Sequence, residues 1–313
     1  MIVSLGESLI DLIHPEDGTT PEARIGGSPY NVAIALARLG VDAGLLCPLS
    51  ADDYGQMLCK GLQDNGVQQC VAQRSKVPTA VAEVFTDANG HPRYAFHRDN
   101  TADRDLLNHP PIDALPSGLT ALHFGSLVLA QARDWPAWRT AIEHARSCGA
   151  FIAFDPNLRI NLIDDMSGYR RRLEEAIELA DFIKASDEDL SLLEPDCDPT
   201  QRIQRWCSPS RLVVMTRGKD GAQLWTQTGQ RVEHRHQGST PIIDTVGAGD
   251  TFQAAALAWL WHHNAFGSSL DTGNAKRLLE FATKAAFVNC TRPGCQPPTL
   301  HDVTGDTPFP ARS

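Results

Sequence analysis

The chain lacks any run of about 18 apolar residues, the length a membrane-spanning helix requires, and its start, Met1-Ile2-Val3-Ser4, carries no basic leader region. Both absences lead us to expect a cytoplasmic protein. It also lacks an excess of positive charge: 28 Lys and Arg stand against 38 Asp and Glu, for a net charge of -10. Nucleic-acid binding needs a basic face, so neither nucleic acid nor membrane is an expected partner. No C-x-x-C pair occurs among Cys47, Cys59, Cys70, Cys148, Cys197, Cys207, Cys290 and Cys295, a scatter that suits reduced thiols. His234-x-His236 and His262-His263 have no further ligands nearby in the sequence, so zinc is not expected. A Walker loop, G-x-x-x-x-G-K-[ST], is absent as well.

What the chain does have is a glycine-rich turn that opens an Ala- and Leu-rich helix: Asp244-Thr245-Val246-Gly247-Ala248-Gly249-Asp250-Thr251-Phe252, followed by Gln253-Ala254-Ala255-Ala256-Leu257-Ala258. A helix start offers unpaired N–H groups and the positive end of the helix dipole, which together favour an anion. A dinucleotide fingerprint fits poorly, because Phe252 occupies the place of its third glycine and a carboxylate in the turn would repel a pyrophosphate. Asp250 as a mere helix cap is the plainer alternative. The remaining arrangement has the turn's amides stabilising charge on a transferring phosphoryl group while Asp250 takes a proton from an attacking alcohol.

The stretch from Asp244 to Phe252 resembles the C-terminal signature of the ribokinase-like (PfkB) sugar kinases. Gly26-Gly27-Ser28-Pro29-Tyr30-Asn31-Val32-Ala33 resembles a block near the other end of such chains, and the likeness runs from about Met1 to Pro298. It implies an α/β fold, a three-layer αβα sandwich with a mostly parallel central sheet and a small β-sheet lid. It implies ATP-dependent phosphorylation of a primary hydroxyl on a small sugar: D-fructose first, with 2-keto-3-deoxygluconate, ribose or a nucleoside as alternatives. Mg2+ would accompany the phosphates, K+ would be a further cofactor, and relatives that pair through their lids imply a homodimer. A sugar or nucleotide sensor without catalysis is the reading from another class; it expects an eroded turn, whereas Asp250, Gly247 and Gly249 are all present.

The same resemblance assigns roles. Asp250 is the base, and the amides of Gly247, Ala248 and Gly249 form the anion hole. Asp11, Gly26, Gly27, Asn31, Arg98, Asn157 and Arg159 touch the sugar or its phosphate, while Lys184, Ser186, Thr216, Gly218 and Gly221 line the ATP side. Where the family has N-x-x-E, this chain has Ser186-Asp187-Glu188-Asp189, placing Asp189 near Mg2+-bound water with Glu188 in reserve. Asp244, Val246, Asn289 and Gly294 would surround a monovalent cation. Several of these residues have plainer uses, Ser186 and Asp189 as a helix capping pair and Gly218 and Gly221 as a hairpin turn.

Along the chain, strand-like and helical runs alternate: Gly44–Leu49, Asp53–Asn65, Leu119–Phe124, Trp135–Cys148, Ala150–Asp155, Tyr169–Leu179, Phe182–Ala185 and Leu212–Thr216. Pro29 to Leu39 reads as a helix, with Pro near its start and Gly40 beyond its end. Two regions, about 8–25 and 76–100, break this rhythm with short β-prone runs around Asp17-Gly18 and Asp87-Ala88-Asn89-Gly90, and they predict the lid. The whole of 1–313 is expected to form one domain, with an irregular tail over 297–313.

Overall fold

The computed structural model describes residues 1–15, 19–86, 92–163, 165–306 and 309. The first half of the chain forms β1 (Ile2–Leu5), β2 (Leu9–Ile13), β3 (Glu22–Gly26), α1 (Ser28–Arg38), β4 (Ala43–Leu46), α2 (Asp53–Asp64), β5 (Gln68–Gln69), β6 (Ala80–Thr86), β7 (Pro92–His97), β8 (Ala121–Gly125), α3 (Trp135–Ser147) and β9 (Phe151–Asp155). The second half forms α4 (Met166–Leu179), β10 (Phe182–Ser186), α5 (Asp187–Leu193), α6 (Pro199–Gln204), β11 (Leu212–Thr216), β12 (Ala222–Trp225), β13 (Arg231–His234), α7 (Ala248–His262), α8 (Thr272–Cys290) and α9 (Leu300–Thr304).

Period-two side-chain direction divides the central strands between two cores. Ala121, Phe151, Ala153, Phe182 and Val214 pack with α1, α7 and α8, while Leu122, Ile152, Phe154, Ile183 and Val213 pack with α3, α4 and α5. The result is three layers around a nine-stranded sheet in the order β13-β12-β11-β10-β9-β8-β1-β4-β5. It is parallel except at one edge, where β12 runs antiparallel to both β11 and β13. Such strands are covered on both faces and so read as continuous apolar runs. α7 is buried from Asp250 to His262, as expected of a helix that is apolar all round.

The rhythm-breaking regions form a separate four-stranded sheet in the order β3-β2-β6-β7, the predicted lid. Its turns at Asp17-Gly18 and Asp87-Ala88-Asn89-Gly90, with His91, lie outside the described residues. Ala80 and Ala82 of β6 pack with Leu9, Leu127 and Ala130, which holds the lid against the ends of the main strands. The irregular tail is corrected in part. Thr299 Oγ1 accepts the Asp302 N–H (3.2 Å) and Asp302 Oδ2 accepts the Thr299 N–H (2.8 Å), a reciprocal cap that starts α9. That Thr-x-x-Asp signature follows directly on Pro297 and Pro298.

The C-terminal ends of β8 to β11 bring Gly125, Asp155, Ser186 and Thr216 to one edge, where open α/β sheets bind ligands. Gly125 stands opposite Asp155, and a Cβ on it would overlap the Asp155 carbonyl oxygen. Gly125→Ala is therefore expected to cost about 2 kcal/mol or more through forced backbone separation. Denaturant unfolding of the variant measures this, and an unchanged midpoint contradicts the packing argument.

Candidate active site

Asp250 is the third residue of α7, the position from which an acid often reaches back to cap its own helix. It makes no such bond. Gly247 ends the turn in the left-handed region (φ 73°), with Cys295 packed so closely that a Cβ there would overlap its sulfur. The Asp250 carboxylate is held instead by α1: Ser28 Oγ donates to Oδ1 (2.7 Å) and Asn31 Nδ2 donates to Oδ2 (2.8 Å). The side chain is only 7% exposed, yet it borders a cavity of about 500 Å3 whose wall also includes Glu7, Asp11, Ser126, Asn157 and Arg159. The first-turn amides of α7 lie beside it and have no acceptor within the helix. Ala248 is the exception to the predicted anion hole, since its N–H bonds to the Thr245 carbonyl (3.2 Å) and closes the turn. That leaves Gly247, Gly249 and Asp250 to face an anion.

Most of the predicted sugar residues converge here. Gly26 lies directly against the Asp11 carboxylate, and Gly27, Asn31, Asn157 and Arg159 line the cavity. Asn157 (φ 36°) and Ser126 (φ 52°) both sit in the left-handed region, backbone positions that side chains avoid unless their surroundings hold them there. Arg159 Nη1 donates to Asn157 Oδ1 (2.7 Å). Burial pushes the Asp11 carboxyl up to about 6 against the opposing pull of Arg159. Arg98 does not reach the cavity wall. It is buried and ion-paired through Nε to Asp103 Oδ2 (2.7 Å), because Thr101 and Asp103 fold the chain back beneath it.

On the phosphate side, Lys184 is buried behind Gly249 and donates to Asp155 Oδ2 (2.7 Å). Burial alone would depress the Lys184 ammonium, but Asp155, followed by Asp189 and Asp250, outweighs it and holds the proton more firmly. Ser186 pairs with Thr216 in register, and the exposed turn at Gly218 carries Lys219 outward. A Cβ on Gly221 would overlap the His234 carbonyl, so that glycine is explained by the hairpin.

Asp189 turns out to be structural in its contacts. It caps α5 with Ser186, through Ser186 Oγ (3.0 Å) and the Ser186 N–H (3.4 Å), and its other oxygen accepts the Leu158 N–H (2.9 Å). Among the described residues no three His, Cys, Asp or Glu side chains converge as a metal cage. Both Asp189 oxygens are engaged by backbone N–H groups, which leaves its predicted place beside Mg2+-bound water without a free oxygen of its own. The monovalent-cation residues fit better. Asp244 accepts the N–H groups of Val246 (3.0 Å) and Gly294 (2.8 Å), and Asn289 Nδ2 donates to the Val246 carbonyl (2.8 Å). Asn289 is fully buried, and its Oδ1 has no partner, leaving an oxygen free for a cation.

Sequence reasoning passed over three residues. Ser28 sat unremarked between the Gly-Gly pair and Asn31; its place in the first turn of the same helix was the available signal. Glu7 is a lone acid inside an apolar strand region, and burial raises its carboxyl above the usual range despite Arg98. Asp155 was visible in Phe154-Asp155-Pro156-Asn157, but only the register of β9 with β10 reveals its link to Lys184.

This fold, with an acid at an amide-lined helix tip above a polar cavity, is that of a phosphotransferase acting on an alcohol. The chain belongs to the pfkB family of carbohydrate kinases, which matches residues 1–302. It is 32% identical over 265 residues to a fructokinase from Rhizobium leguminosarum bv. trifolii, covering 83% of this chain and 79% of that one. Its structure is similar to fructokinase with bound ATP from Xylella fastidiosa (TM-score 0.83, 25% identity, 96% of each chain). It is also similar to a double-mutant fructokinase from Vibrio cholerae O395 in its fructose-, ADP- and potassium-bound form (TM-score 0.78, 25% identity, 94% of this chain and 93% of that one). No helix among the described residues is long and apolar enough to cross a membrane.

Burial raises the Asp11 carboxyl to about 6, so below that pH it loses its charge and one of its acceptor oxygens becomes a donor. The KM for sugar is thus expected to rise as pH falls from 7 to 5, and Asp11→Asn should weaken sugar binding at pH 7 and flatten that trend. The raised folded-state value also means that Asp11 costs stability progressively as pH climbs from about 4 to 6. Thermal melting of Asp11→Asn at pH 7 should match or exceed the native value. A native KM independent of pH over this range contradicts Asp11 as a sugar contact.

Proposed function

We propose that the protein transfers the terminal phosphoryl group of ATP to the primary hydroxyl of a small neutral sugar, with D-fructose giving fructose 6-phosphate. The observation that carries this reading is the Asp250 carboxylate, left uncommitted by its own helix and held beside the amide-lined tip at the mouth of the cavity. Asp250 accepts the proton of the attacking hydroxyl, and the N–H groups of Gly247, Gly249 and Asp250 meet charge growing on the phosphoryl oxygens. Lys184 adds buried positive charge behind Gly249. The transfer is in line, with the sugar oxygen attacking and ADP leaving. Mg2+ carried by the nucleotide phosphates would neutralise part of their charge.

Three carboxylates, Glu7, Asp11 and Asp250, line the cavity with Arg159, which is already engaged by Asn157. That wall suits neutral polyols better than a sugar acid such as 2-keto-3-deoxygluconate. A larger cleft of about 700 Å3 opens at the opposite end of the strands, by Ala150, Asp181 and Phe266, but it contains none of the motif residues. Further parts of the reading are K+ beside Asp244 and Asn289, a cytoplasmic location, and a homodimer through the lid, whose outer side presents Phe85 and His97.

In a coupled ADP-release assay across a sugar panel, fructose is expected to give the highest kcat/KM and 2-keto-3-deoxygluconate a much lower one. Asp250→Asn should lower kcat by about 10² or more with little change in ATP binding. Near-normal turnover by that variant overturns the base assignment, and preference for the acid overturns the substrate. Replacing K+ with a bulky organic cation should reduce activity, and full activity in its absence contradicts the cation site.

A further inference from the structure

Two acids occupy the same helix position in this protein and meet different fates. Asp189, third in α5, is consumed by its own helix and by the Leu158 amide. Asp250, third in α7, forms no cap, and the two bonds that orient it come from another helix. Asn31, the last of the Gly-Gly-x-x-x-Asn block, accounts for one oxygen. The other is held by Ser28 Oγ at 2.7 Å, within a first turn of α1 that Pro29 makes rigid. Ser28 is only 8% exposed, so no bulk water competes freely for that bond.

A carboxylate with a single donor can swing about its terminal torsion, which is broad and roughly two-fold. Donors on both oxygens, separated by one turn of the same rigid helix, remove that freedom. Each oxygen keeps a second lone pair, so the held carboxylate can still accept from a sugar hydroxyl. We propose that Ser28 is a positioning residue for phosphoryl transfer: its hydroxyl fixes the plane of the Asp250 carboxylate, so that a lone pair meets the primary hydroxyl when the sugar is seated. Small misplacements of a reacting group cost rate disproportionately. The effect therefore falls on turnover rather than on ground-state binding.

The inference rests on Asp250 being the base, and the test separates the two claims. Ser28→Ala, Ser28→Thr and Asp250→Asn are made in the full-length protein, together with the double variant Ser28→Ala/Asp250→Asn. Steady-state kinetics are then measured with fructose and MgATP. Ser28→Ala is expected to lower kcat about tenfold while both KM values stay within about twofold. Ser28→Thr, which keeps the hydroxyl, should recover most of the loss, and in the Asp250→Asn background Ser28→Ala should cause no further fall. Unchanged kcat in Ser28→Ala overturns the proposal, as does a loss that Ser28→Thr shares in full or one that persists undiminished in the Asp250→Asn background. If Asp250→Asn itself retains turnover, the base assignment falls instead. If Ser28→Ala fails to fold, the comparison of Ser28→Thr with native decides: near-native kcat supports the hydroxyl role, and a loss equal to that of Asp250→Asn overturns it.

Discussion

The contact between the first turns of α1 and α7 is the constraint on which the site depends. It joins a segment near residue 28 to one near residue 250, far apart in the chain, through two hydrogen bonds to one carboxylate. Burying a charge is costly unless it is hydrogen-bonded. Here the compensation comes from neutral donors rather than a cation. Asp250 therefore stays free of a salt bridge that would tie up both its oxygens, and the neighbouring Lys184 is held by Asp155 instead. The arrangement keeps positive charge under the helix tip without placing it on the base.

The packing of the two helices has its own cause. α7 is apolar on every side, and its Ala-rich surface lets α1 approach through Val32, Ala35 and Leu36 in the same core. Small side chains at this crossing fix where the first turns meet. The β1 end, with Glu7 and the lid base, closes over that meeting point. The cavity is thus a by-product of three elements that start or stop at one sheet edge, as the open α/β architecture dictates.

Much of this was legible in the sequence, because motif and geometry coincide there. Gly247 needs a left-handed turn, and Gly26 needs the close approach of Asp11; both needs leave a mark in residue type. The period-two and 3.6-residue patterns marked the alternating strands and helices, with boundaries shifted by up to three residues, as where Gly44–Leu49 became Ala43–Leu46. Arg98 and Asp189 were harder. A charged residue near a motif reads the same whether it faces a ligand or a neighbour, and only the fold showed that Asp103 and the Leu158 amide had claimed them. Ser28 erred in the opposite direction, since a serine at a helix start looks like a cap until its partner 222 residues away is seen.

The pairing of Asp189 with Ser186 also changes what the donor side can be. In a chain with Asn and Glu at these positions, the longer acid could extend past the cap toward metal-bound water. Here the shorter Asp is drawn back onto the Ser186 and Leu158 amides, and it braces the loop that carries Asn157 and Arg159. A residue expected on the ATP side thus also braces the loop beside the cavity. On the proposed reading, neutralising the phosphate charge falls to the helix tip, to Lys184 and to the cation carried by the nucleotide. On the same proposed reading, substrate discrimination rests on the carboxylate-lined wall, where a negative charge on the sugar would meet Glu7 and Asp11, with Arg159 the one cationic side chain lining the cavity among the described residues.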